Sequence, residues 1–290
     1  MLAMTQELTI ALVQTAAQPG FDVRRFGDRL AELVAQDPDV ELWAFPELHL
    51  ESAVPDVGSD TVGRGLDDEK VSALGGIAQR LGIWLVPGTM HERGEDGKIY
   101  NTAMVFSPEG ERVATYRKIF PWRPVEHSAP GDSFEVFDIP GRGRIGLSIC
   151  YDIWFPEHSR QLAWMGADLI LNLVLTGTPD REQELAIVRG NAIMNQIWIA
   201  SVNAASPTGL GQSLLVDPSG VVRASTDDAA ERVLTARVDL AEPARVRAHG
   251  TAGVTRPWSV FRTGDRPVSL PLYGGHIDPS HWQPRSKENS

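Results

Sequence analysis

Short apolar runs and amphipathic stretches alternate along most of this chain, and that alternation limits the folds open to it. Leu8 to Gln14, Leu42 to Phe45, Ile83 to Met90, Tyr100 to Ser107 and Val113 to Tyr116 read as strands. So do Phe134 to Ile139, Arg144 to Ile149, Leu169 to Leu175, Ile197 to Val202, Gln212 to Val216 and Val233 to Val238. Between them, Val23 to Ala35 places Val23, Phe26, Leu30, Leu33 and Val34 on one helical stripe. Glu69 to Leu81, Pro156 to Met165 and Asp180 to Gln196 have helical spacing as well, with Pro156 suited to a first turn. Gly94, Asp96 and Gly97 join two strands as a hairpin. Other strands are separated by helices. A chain with both kinds of connection builds sheets whose outer faces are covered by helices.

Two segments escape the pattern. Phe120 to Ser133 has no periodicity, and an irregular stretch of that length inside a compact domain usually carries function. Beyond about Glu242 the chain is rich in Pro, Gly and Arg and reads as irregular. We therefore divide it into one domain, residues 1–241, and a C-terminal extension, residues 242–290. The net charge of −11 disfavours nucleic acid and anionic membrane as partners. No stretch approaches the ~20 apolar residues of a spanning helix. The first residues lack a basic, apolar leader, and a single cysteine excludes an intramolecular disulfide framework. The expectation is a cytoplasmic protein. No H-x-x-x-H or C-x-x-C spacing and no glycine-rich phosphate loop occurs, so neither metal nor cofactor is expected.

That one cysteine, Cys150, ends the strand Arg144 to Ile149. Ile145, Leu147 and Ile149 point to one side, and Gly146, Ser148 and Cys150 to the other, where small residues let something approach. A cysteine nucleophile needs a base for its proton and a positive site for the developing oxyanion. His49, His127 and His158 are eligible bases, but none directly follows a strand end. Glu47 follows the Leu42 to Phe45 strand and Pro46, and Lys118 follows Val113 to Arg117. Three chemistries at three strand ends suit an α/β enzyme. Singly, each has a plainer reading: a buried thiol in the core, a surface carboxylate, a solvated lysine. A serine hydrolase is a rival, because Gly146-Leu-Ser-Ile-Cys150 partly matches G-x-S-x-G, though Ser148 lies inside the strand and the last glycine is missing.

Taken together, Phe45-Pro-Glu-Leu48, Tyr116-Arg-Lys-Ile119 and Ile149-Cys-Tyr-Asp-Ile-Trp-Phe-Pro-Glu157 resemble the signature blocks of the nitrilase superfamily of carbon–nitrogen hydrolases. Arg189 to Gln196 with Ser201-Val-Asn203, and Gly211-Gln-Ser213 with Asp217-Pro-Ser-Gly220, extend the resemblance from about Leu8 to Val238. It implies an α-β-β-α four-layer sandwich. It implies Cys150 as nucleophile, Glu47 as general base, and Lys118 with the backbone N–H of Tyr151 as oxyanion stabiliser. Glu126 matches the family's second glutamate, and Tyr116 to Glu126 is similar to the aliphatic amidase and formamidase branch. Tyr151-Asp152 is similar to amidase-type members rather than those acting on nitriles. Leu48 stands where the small-amide branch carries Tyr, and Met194 where many members carry Glu. Leu48, Trp122, Tyr151, Trp154 and Thr176 are the implied substrate contacts, with core packing an equal reading for Trp154.

The implied activity is a cofactor-free amidase that cleaves a linear carboxamide to carboxylate and ammonia through a thioester on Cys150. An N-carbamoyl amine hydrolase and a nitrilase are the alternatives within the family. A catalytically silent interaction module is the alternative outside enzymes. The resemblance also implies a homodimer or larger homo-oligomer, with the C-terminal extension packing on a neighbouring subunit.

Overall fold

The structure, a computed structural model, describes residues 6–18, 20–51, 63–123, 125–270 and 275–277. Two sheets lie face to face. The first has the order β13-β1-β2-β3-β5-β4, with β6 paired to β5. It comprises β1 (Glu7–Gln14), β2 (Leu42–Ala44), β3 (Trp84–Val86), β4 (Thr89–Arg93), β5 (Ile99–Phe106), β6 (Arg112–Arg117) and β13 (Arg232–Asp239). The second has the order β12-β11-β10-β9-β8-β7. Its strands are β7 (Val136–Ile139), β8 (Gly143–Ile149), β9 (Leu169–Val174), β10 (Trp198–Asn203), β11 (Leu214–Val216) and β12 (Val222–Ser225).

Alternation within the strands explains the stacking. Leu8, Ile10 and Leu12 of β1 face Ile145, Leu147 and Ile149 of β8 across a core between the sheets. Intervening residues face outward to helices. Ala11, Val13 and Trp43 pack on Phe26 and Leu30 of α1 (Val23–Gln36) and on Val71, Leu74 and Ile77 of α2 (Glu69–Leu81). Ile170, Ile199, Leu214 and Val216 pack on Leu162 of α3 (Pro156–Trp164) and on Val188 and Ala192 of α4 (Arg181–Asn195). Three apolar cores between four layers make the α-β-β-α sandwich. Helix ends follow local chemistry: the Asp22 side chain accepts from Arg25 N–H at the start of α1, and Gly82 closes α2 in the left-handed region.

Three sequence expectations are corrected, and one strand carried no expectation. The Ile83 to Met90 run is two strands, because Gly88 turns the chain at φ +92° between β3 and β4. The edge strand β12 has no apolar alternation, being largely exposed, and left no signal. The segment from Glu242 is not irregular throughout: α5 (Glu242–His249) and a short 3₁₀ turn (Pro257–Ser259) fold back onto the second helical layer. There Trp258 is buried, donates to the Asn195 carbonyl at 2.9 Å and packs beside Trp164. The small-residue face of β8 receives a helix rather than a ligand: a Cβ on Gly146 would lie 3.0 Å from Leu162.

Candidate active site

The site forms where the two sheets meet at their strand ends. Pro46 stops β2, and Glu47 follows in a turn braced by the Thr89 hydroxyl, which accepts from Leu48 N–H at 3.0 Å. Lys118 follows β6; its N–H donates to the Asn101 carbonyl of β5 and its carbonyl accepts from Gly131 N–H, both at 2.8 Å. The loop from Phe120 is thereby folded back on Lys118. A turn within it, closed by Glu126 N–H donating to the Trp122 carbonyl at 2.8 Å, brings Glu126 inward. Cys150 does not continue β8. It opens the 3₁₀ turn Cys150–Trp154 at φ +45°, a strained backbone for a residue with a Cβ. Leu48 shares that strain at φ +52°.

Lys118 is wholly buried and carries two carboxylates. Its Nζ donates to Glu47 Oε1 at 3.0 Å and to Glu126 Oε1 at 2.5 Å. Glu47 Oε1 also accepts from Asn101 Nδ2 at 2.7 Å. Burial pushes the Glu47 carboxyl above its usual range, Lys118 draws it back, and Glu126 adds to the rise. Burial alone would lower the Lys118 ammonium, but Glu47, Cys150 and Glu126 outweigh it and hold it above an ordinary lysine. The Cys150 thiol is pushed well up, first by burial and then by the Glu47 charge, with Lys118 opposing. Cys150 keeps some surface open, although packing around the sulfur is dense enough for burial to dominate. Its Sγ lies 3.7 Å from Thr176 Oγ1. Asn203 holds Thr176 there, accepting from its N–H at 2.9 Å and donating to its carbonyl at 3.1 Å.

The expected residues divide accordingly. Glu47, Lys118 and Glu126 form one bonded group, and the charges of Glu47 and Lys118 act on the Cys150 thiol. Thr176 touches the sulfur. Leu48 and Tyr151 follow Glu47 and Cys150 in sequence, and the Tyr151 ring lies 5.9 Å from Trp154 and 5.3 Å from Phe155. Trp154 packs on the core beneath α3 and α4, the plainer of its two readings. Trp122 is half-buried and contributes its carbonyl to the Glu126 turn. The serine rival does not survive: Ser148 is buried within β8 and donates to Asn172 Oδ1 at 3.1 Å. Of the histidines, His49 stacks on Phe45 in the helix–sheet core, His158 bonds Tyr116 at 2.8 Å, and His127 is exposed.

Sequence reasoning missed Asn101, whose polar side chain in an apolar strand was a usable signal. It also missed Arg181 and Glu184 in the first turn of α4. Both are buried, with Arg181 Nη1 at 2.8 Å from Glu184 Oε2, and Arg181 also donates to the Gln212 carbonyl at 2.8 Å. The pair is close but poorly aligned, so among the described residues neither Glu184 oxygen completes a hydrogen bond. Its charge reaches Cys150. Among the described residues no group of three or more His, Cys, Asp or Glu could hold a metal ion.

A profile of the family described as carbon-nitrogen hydrolase matches residues 9–248, seven residues past the domain limit drawn from sequence. The "hydrolase in pqqF 5'region" of Pseudomonas protegens is 31% identical over 234 residues, covering 77% of this chain and 80% of that protein. A formamidase of Bacillus cereus is 30% identical over 187 residues; the match covers 60% of this chain but little more than half, 53%, of the formamidase. Among solved structures, a cysteine-to-alanine mutant of the amidase from Nesterenkonia sp. AN1 in complex with butyramide superposes with a TM-score of 0.73 at 26% identity. That superposition covers 84% of this chain and 95% of the amidase.

Proposed function

This chain belongs to the carbon–nitrogen hydrolases, and from that premise we propose that it cleaves a linear primary carboxamide to carboxylate and ammonia, with Cys150 as nucleophile. The observation that carries the reading is the buried Lys118 ammonium gripped by Glu47 and Glu126 beside a cysteine at a strained strand end. Such a cation is fixed before any substrate arrives. It is worth most against charge that develops in the transition state.

At rest the thiol is protonated, because burial and Glu47 both raise it. Sulfur therefore attacks the amide carbon as its proton passes to Glu47. The oxygen becomes an oxyanion beside Lys118 Nζ and the Tyr151 N–H. Glu47 then returns the proton to the nitrogen, the C–N bond breaks and ammonia leaves. Water, deprotonated by Glu47, attacks the thioester; the C–S bond breaks and the thiol recovers its proton. One water is consumed, and one carboxylic acid and one ammonia are formed. One feature supports an amide over a nitrile: Glu126 Oε2 is a buried acceptor with no partner among the described residues, and a carboxamide NH₂ can donate where a nitrile cannot.

Formamidase and amidase relatives point to short acyl chains. Ammonia release from formamide, acetamide, butyramide, an N-carbamoyl amine and a short nitrile, compared between wild type and Cys150→Ala, tests the proposal. Release from the amides by wild type alone is expected. Equal release by both proteins would leave the silent-module reading standing.

A further inference from the structure

Lys118 and Cys150 must meet at one carbonyl group, yet they stand on different sheets. Lys118 follows β6 of the first and Cys150 follows β8 of the second, and among the described residues no strand ladder joins the two sheets. Something other than strand pairing has to set the distance between them. One buried side chain spans the gap. Asp152, the third residue of the 3₁₀ turn, is fully buried and accepts three hydrogen bonds. Its Oδ2 takes the Tyr116 hydroxyl at 2.7 Å and the Ile149 N–H at 2.9 Å, and its Oδ1 takes the Phe120 N–H at 2.9 Å. Tyr116 and Phe120 lie two residues before and two after Lys118. Ile149 directly precedes Cys150.

We propose that Asp152 is a positioning residue for the hydrolysis: its carboxylate ties both flanks of Lys118 to the turn that presents Cys150, and so fixes the ammonium against the sulfur. This rests on the function proposed above. It touches no reacting atom and acts through the two residues it ties.

The surroundings fit a permanent clamp. Three donors and no acceptor meet the Asp152 side chain, which suits the ionised, acceptor-only carboxylate. Burial raises Asp152 to about 6, while Lys118, Tyr116 and the two N–H groups draw it back, so it is ionised at pH 7 and above. The Tyr116 phenol is pushed well above its usual range by burial and then by Asp152, which keeps its proton available to donate. That proton is committed to Asp152, so His158 must meet the phenol oxygen, at 2.8 Å, as an Nε2–H donor. Burial lowers His158 to about 3 and keeps it neutral, with its Nε2 3.9 Å from Asp152 Oδ2. A second contact runs the same way: the Phe120 and Phe155 rings stack at 3.7 Å.

Asp152→Asn keeps the volume but turns one acceptor into a donor facing a donor. Misplacement by about 1 Å can cost about 100-fold in rate, so kcat should fall about 100-fold with KM held within about twofold. Alkylation of Cys150 by iodoacetamide, followed by mass, should slow as well. Removing a negative charge without disturbing position would speed it instead. Tyr116→Phe deletes one arm only and should lower kcat about tenfold with an unchanged far-ultraviolet circular dichroism spectrum. If Asp152→Asn does not fold, Tyr116→Phe decides. A folded Asp152→Asn protein with kcat within threefold of wild type, or with faster alkylation, overturns the clamp; so does a Tyr116→Phe protein with wild-type kcat. Failure of the wild type to hydrolyse any amide would instead remove the amidase reading and leave the alkylation comparison intact.

Discussion

If Glu47 is the base proposed above, Cys150 depends on it at the moment of attack, because a thiol held in its protonated state cannot wait as a thiolate. Glu47→Gln should therefore lower the acylation rate about 10²- to 10⁴-fold, read as the first-turnover burst of ammonia. Lys118→Met should cost at least about 10²–10³ in kcat, since it removes one oxyanion donor, and it also leaves Glu47 and Glu126 facing each other unpaired. Because burial raises Glu47, the acid limb of kcat/KM should lie above the ordinary carboxylate range: the base must be ionised, and it takes up its proton early as pH falls. Cys150, Glu47, Lys118 and Glu126 were legible in sequence because each stands in a distinctive block. Asn101 was legible only as a polar residue in an apolar strand, and the bridging role of Asp152 was not legible at all. A hydrogen bond between residues 36 apart, as Tyr116 to Asp152 is, leaves no local pattern.

Elements fail where backbone geometry leaves no choice. Gly88 turns the chain between β3 and β4, and a Cβ there would stand 2.1 Å from the Pro46 carbonyl. Gly88→Ala should destabilise by more than about 1 kcal/mol and displace Glu47, so urea midpoint and kcat should fall together. The first turn of α4 offers a different test. Arg181→Leu strands Glu184 as a buried charge, which typically costs about 3–5 kcal/mol in urea unfolding, whereas Arg181→Leu with Glu184→Leu should recover much of it. Helix periodicity placed α1 through α4 to within a residue or two, since each shows one apolar stripe to a sheet. Strand limits were less legible. Gly88 breaks a continuous apolar run that sequence reads as one strand, and β12 is too exposed to show alternation.

For the whole molecule, pH acts through buried histidines. His49 and His158 are both held at about 3, each chiefly by burial, against an ordinary 6.5. The folded state resists protonation that the unfolded state accepts, so stability is complete above 6.5 and is lost as pH falls toward 3. Each group costs about 1.4 kcal/mol per pH unit across that window. Asp152, raised to about 6, opposes this between 6 and about 4. Urea midpoints should drop from pH 7 to pH 5, and His49→Phe should make the decline shallower by one proton; an unchanged slope would refute the assignment. We also expect a homo-oligomer in light scattering, with the exposed Ile193 and Met194 of α4 as candidate contacts. The four-layer plan was legible because hairpins and helical crossovers both leave composition signals. The return of α5 onto its own chain was not, since its sequence is largely polar. The chain crosses from the first sheet to the second only once before β13 returns to pair with β1 along all eight residues. Cutting the loop at Gly131 would therefore part Glu47 and Lys118 from Cys150, leaving two inert fragments. The carboxyl-terminal one would carry β13 as its own means of docking, so hydrolysis would return only on reassembly, a built-in complementation pair.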